Sequence, residues 1–160
     1  MKIAKNIKGL AQNYVETDWG IQQYGVAAKV FDVGEEFPDL EGPMWLEMEW
    51  AKKVVPTRFK SITGVTIKEV DEYLRFLDHR DNPRNSWGVK SISDELKTKM
   101  ENNEWMTDLY SFIRDYDMVY PGDFTRMSTY GEVMRDASPS IVLVDFGFTK
   151  SVHYEYYKIN

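Results

Sequence analysis

The chain has 160 residues, of which 42% are hydrophobic and 14% aromatic, enough apolar side chain to build a core and too much for a disordered tail. Its 26 acidic and 20 basic residues leave a net charge of −6, which argues against an extended nucleic-acid interface, because that needs clustered, uncompensated Lys and Arg. With no cysteine there is no disulfide framework or zinc thiolate, and no run approaches the roughly 18 apolar residues of a membrane span. The opening Met1-Lys2-Ile3-Ala4-Lys5-Asn6 leads into no apolar signal core, so a soluble cytoplasmic α+β chain is expected.

Gly20 and Gly25 punctuate a stretch holding Trp19, Ile21, Tyr24, Val26, Val30 and Phe31, which reads as short strands, the best being Val26 to Phe31. Pro43 and Pro56 bracket a window, Met44 to Val55, that reads as a helix. On a helical wheel Met44, Met48, Ala51 and Val55 form one apolar row and Leu46, Trp50 and Val54 another; Glu47 falls between them, while Glu49 points outward toward Lys53. Glu47 is thus an inward carboxylate in need of a partner. The β-branched and aromatic stretch Phe59 to Leu77 reads as strand, and the charged segment from Asp78 to Gly88 as a loop joining two lobes, 1–78 and 79–160.

Ser91 or Ser93 caps an expected long helix in which Leu96, Met100, Met106, Leu109, Phe112, Ile113 and Tyr116 recur at helical spacing. Tyr130 to Met134 and Ile141 to Val144 then read as a hairpin around the loop 135–140, the second strand apolar on both faces and therefore buried. That strand runs into Asp145-Phe146-Gly147. A charge placed directly after a buried strand must meet water, a cation or a hydrogen-bond donor.

Long helix, Asp123-bearing loop, hairpin and Asp-Phe-Gly follow one another in the order that sets two carboxylates around a nucleotide's terminal phosphate and its magnesium. The chain therefore resembles the protein-kinase-like fold, with a strand-rich upper lobe around one helix and a truncated helical lower lobe carrying the catalytic-loop hairpin. Tyr120-Pro121-Gly122-Asp123-Phe124-Thr125 is similar to the catalytic loop of the aminoglycoside-phosphotransferase branch, with Pro121 where that branch tends to have His. Val26-Ala27-Ala28-Lys29 resembles the Val-Ala-Ile-Lys strand, and the whole is similar to small kinase-like proteins of bacteriophages.

The resemblance implies that Lys29 holds the ATP phosphates, Glu47 pairs with Lys29, Asp123 orients the acceptor hydroxyl and Asp145 binds Mg2+. Ser128 stands five residues after Asp123, where the family has the Asn that holds the second magnesium. No G-x-G-x-x-G precedes Lys29, and the resemblance ends near Thr149. His79-Arg80-Asp81 spells the kinase catalytic triplet but precedes the long helix that should come before a catalytic loop, so it reads as part of the inter-lobe segment.

Three functions follow. The preferred expectation is a kinase-like, phage-encoded protein with a degenerate ATP and magnesium site, acting without catalysis on a protein partner. A minimal ATP-dependent phosphotransferase is the second. An acidic interaction protein with no nucleotide role is the third, in which the aromatic, strand-like tail Val152 to Tyr157 covers the core or pairs across a homodimer.

Overall fold

The computed structural model describes residues 1–34, 42–84 and 88–157. Two small antiparallel sheets and six helices make an α+β fold among them. One sheet holds β1 (Lys2–Ile3), β2 (Val30–Val33) and β3 (Trp45–Met48) in the order β1-β3-β2; the other holds β4 (Lys52–Lys53), β5 (Tyr130–Arg135) and β6 (Ser138–Leu143) in chain order. Asn85 of the expected 78–88 loop lies outside the described residues. No described helix is long and apolar enough to cross a membrane.

α1 (Ile7–Glu16) is capped by Asn6, whose side chain accepts the Gly9 N–H at 3.1 Å. Its burial is inverted: Asn13 and Glu16 are buried while Ile7 and Tyr14 are more than half exposed. α2 (Pro56–Thr63) starts at Pro56 and stops at Gly64, whose φ of 79° supplies the left-handed cap. α3 (Ile67–Asp81) opens with a capping box between Thr66 and Glu69. α4 (Asp94–Glu101) is capped by Ser93 and α5 (Glu104–Asp115) by Asn103.

Five sequence expectations are corrected by these elements. The helix at 44–55 is instead β3, a turn and β4; Leu46 is buried and Glu47 exposed, the alternation of a half-buried strand. The strand region at 59–77 is α2 and α3, because Pro56 opens a helix rather than closing one and Val70, Tyr73, Leu74 and Leu77 share a buried face. The single long helix breaks at Asn102-Asn103 into α4 and α5, and the tail is α6 (Lys150–Tyr156), capped by Thr149. The 78–88 segment is also helical as far as Asp81.

The expected hairpin of β5 and β6 is present, its strands running on to Arg135 and Ser138 and its turn shortened to Asp136 and Ala137, both at positive φ. β6 is buried on both faces at Ile141, Val142 and Leu143. Residues 26–28 run parallel beside it: Ala28 N–H donates to the Leu143 carbonyl at 3.0 Å, and Leu143 N–H to that of Val26 at 2.7 Å. The core gathers around Phe112, whose ring meets Tyr24, Phe124 and Phe146 edge to face at 5.6 to 6.4 Å. A buried ring of this size contributes about 2 kcal/mol from area alone.

Candidate functional site

The most unusual electrostatic group is Glu16. It ends α1, where the helix dipole disfavours an anion, and its side chain is 0% exposed. Both carboxylate oxygens accept from Lys2 Nζ, at 2.6 and 2.8 Å. Oε1 also accepts the backbone N–H groups of Phe146 and Gly147, each at 2.9 Å. Burial, the largest influence, pushes the Glu16 carboxyl up, against the pull of Lys2 and the Phe146 amide. Such local conflict with helix electrostatics is expected at a working site rather than in a structural core.

Lys2 donates in addition to Asp145 Oδ1 at 2.9 Å, and the Asp145 side chain is 64% exposed. Burial opposes the Lys2 ammonium, but Glu16 and Asp145 outweigh it and hold its pKa above the ordinary lysine value. Three features of the chain bring these groups together. β1 supplies Lys2 because it pairs antiparallel with β3, Lys2 opposite Leu46. Gly147 supplies close approach, since a Cβ there would lie 2.2 Å from the Gln12 carbonyl oxygen. β6, buried on both faces, carries Asp145 out to the surface just as it ends.

A cleft of about 210 Å³ opens beside this triad, between the two sheets. Lys2, Ala28, Met48, Trp50, Ala51 and Val144 line it. The walls are mixed, Lys2 and Glu49 adding charge to the apolar Ala28, Met48, Ala51 and Val144, and the stretch 49–51 that joins the sheets forms one side. A larger groove of about 500 Å³ lies along β2, lined by Thr17, Trp19, Gln22, Lys29 and Phe31 among others. It is away from Asp145, and Lys29 Nζ there donates to the Gln22 carbonyl at 2.7 Å. The smaller cleft is the one with chemistry beside it.

Of the residues singled out from the sequence, only Asp145 lies in this cluster. Lys29 and Glu47 are not joined by an ion pair among the described residues; Glu47 is exposed on β3, opposite Asp32. The acid near Lys29 is Glu49, whose Oε2 accepts the Lys29 backbone N–H at 3.2 Å and which is paired with Arg135. Asp123 sits in a 3-10 turn (Gly122–Thr125), half exposed, with Arg126 at 3.0 Å. Ser128 is exposed in the next turn. Asp81, of the His79-Arg80-Asp81 triplet, ends α3, where its Oδ2 accepts the hydroxyls of Tyr110 at 3.1 Å and Tyr120 at 3.0 Å, a closed structural network.

Lys2 and Glu16 were missed because nothing local marks them. An Asn cap before Ile7, Leu10, Ala11 and Val15 could have revealed α1. The residue it delivers to the site comes from the polar side, which periodicity discards. Among the described residues no three His, Asp or Glu side chains gather to hold a metal, so Asp145 could hold one only with further oxygens from a ligand. Compared with protein-family models, curated proteins and solved structures, the chain matches none.

Proposed function

We propose that the chain is a kinase-like protein that binds a magnesium nucleotide in the cleft between its two sheets, with Lys2 as the phosphate lysine, Glu16 as its partner and Asp145 as the magnesium ligand. The single observation that supports this is the position of Lys2 Nζ, 2.6 Å from a buried glutamate and 2.9 Å from the exposed aspartate of Asp145-Phe146-Gly147. A lysine–glutamate pair beside that aspartate is the assembly a kinase-type phosphate site requires. The roles first expected of Lys29 and Glu47 pass to Lys2 and Glu16.

In this reading the nucleobase lies against Ala28, Met48 and Val144, whose apolar surface favours a ring. Lys2, held as an ammonium by Glu16, meets phosphate oxygens through the donor it otherwise gives Asp145, whose carboxylate would turn to Mg2+. Mg2+, bound through Asp145, supplies charge neutralisation at the terminal phosphates. Binding is proposed rather than transfer, because the Asp123 carboxylate is paired with Arg126 and Ser128 offers only a hydroxyl. Action on a protein partner follows from that reading.

Calorimetric titration with ATP, with and without Mg2+, tests it. Wild-type protein is expected to bind ATP more tightly when Mg2+ is present, and folded Asp145→Asn to lose that magnesium dependence. No binding by wild type at millimolar ATP would refute the nucleotide reading and leave the acidic interaction protein as the better one.

A further inference from the structure

We propose that α6 is the positioning element of this site: it clasps α1 and sets Glu16 against Lys2, with Gln12 and Tyr157 as positioning residues that touch no nucleotide. The inference rests on the nucleotide reading above, and adds to it what holds the lysine–glutamate pair in place.

Lys8, Gln12 and Glu16 recur at four-residue spacing and so lie one above another along one stripe of α1. That polar stripe is gripped along its length by the segment after β6. At its far end, Lys8 Nζ sits 4.3 Å from the centre of the Tyr157 ring. In the middle, Gln12 Nε2 donates to the Tyr157 hydroxyl at 3.0 Å, and Gly147 packs against the Gln12 backbone. At the near end Glu16 accepts from Phe146 and Gly147. Tyr157 is itself fixed by Phe148 at 4.9 Å and stacks on His153 at 6.4 Å.

The start of α6 is tied to the other side of the molecule. Lys150 Nζ pairs with Asp117 at 2.6 Å, Lys150 N–H donates to the Asp117 carbonyl at 2.9 Å, and Val119 N–H donates to Phe148 at 3.1 Å. Force on α1 is therefore transmitted through α6 to the segment 117–119. Ala11 and Val15 meet the core and Asn13 Nδ2 donates to the Pro43 carbonyl at 2.8 Å, while the Lys8–Gln12–Glu16 stripe is held by Tyr157, at the end of α6, and by the Phe146 and Gly147 amides before it. Release of Tyr157 lets α1 tilt, and the Glu16 carboxylate leaves the two amides it caps.

The test uses the full chain with Tyr157→Ala, Tyr157→Phe and Gln12→Ala, each confirmed folded by its thermal transition. Two readouts are taken: magnesium-ATP affinity, and hydrogen exchange at the Phe146 and Gly147 amides. Tyr157→Ala is expected to weaken affinity about tenfold or more and to speed exchange at both amides, whereas Tyr157→Phe, which keeps the ring but loses the bond from Gln12, falls between it and wild type. Gln12→Ala carries the same expectation in milder form and stands in if Tyr157→Ala fails to fold. Wild-type affinity and exchange in folded Tyr157→Ala or Gln12→Ala would overturn the proposal. Should wild type bind no ATP, the nucleotide reading fails alone, and amide exchange still decides whether α6 positions Glu16.

Discussion

Glu16 bears four hydrogen bonds on two oxygens, with no exposure to water. Removing one member of a buried ionic cluster leaves the others uncompensated, which is costlier than never having the cluster. Glu16→Ala leaves two backbone N–H groups without an acceptor and Lys2 with Asp145 alone, and is expected to lower stability by about 3 kcal/mol, measured by urea unfolding. A loss under ~0.5 kcal/mol would mean the cluster is not formed. At this scale the sequence was legible for Asp145 alone. The apolar run Ile141 to Val144 forces the next charge outward whatever the fold, whereas Lys2 and Glu16 become neighbours of Asp145 only through pairings across more than a hundred residues.

At the scale of elements, the turn 49–51 between the sheets is fixed by one side chain. Arg135, at the end of β5, donates to the carbonyls of Gly25 at 2.6 Å and Ala27 at 2.8 Å and to both oxygens of Glu49. Burial acts to raise the Glu49 pKa, but Arg135 and the Lys29 amide outweigh it, so the folded value lies below the ordinary 4.5. A depressed carboxylate contributes stability that is complete above its unfolded value and is lost as pH falls through the folded one. Denaturation across acidic pH should therefore show stability falling below about pH 4.5 in wild type and a shallower fall in Glu49→Gln. An unchanged slope in the variant would remove the link.

The hairpin was legible because two short β-rich runs flank a turn, and its pairing depends on nothing distant. α2 and α3 were not, because Ile62, Val65, Ile67, Val70, Tyr73 and Phe76 favour strand by composition; the Thr66–Glu69 box and the Pro56 and Gly64 punctuation were the stronger, local signals. Met44 to Val55 failed in the opposite direction. Its apolar residues satisfy a helical wheel by coincidence, while tertiary pairing to β1, β2 and β5 makes strands.

Across the whole molecule, residues far apart in sequence meet where the two sheets adjoin. The 26–28 segment binds β6, β4 extends the hairpin sheet from the chain's first half, and Arg135 closes the gap between them. This frame leaves the cleft open at Lys2 and holds Ala28, Met48 and Val144 along it. The α+β class was legible from composition and periodicity, but which lysine faces the cleft depends on the order β1-β3-β2, which no local pattern encodes.

The most direct measurement is a side-by-side titration of folded Lys2→Met and Lys29→Met with magnesium-ATP. Lys2→Met is expected to lose binding by a factor of about ten or more, while Lys29→Met, which gives up only a bond to the Gln22 carbonyl, keeps wild-type affinity. Loss of binding in Lys29→Met with affinity retained in Lys2→Met would contradict the assignment and move the phosphate site to the groove along β2.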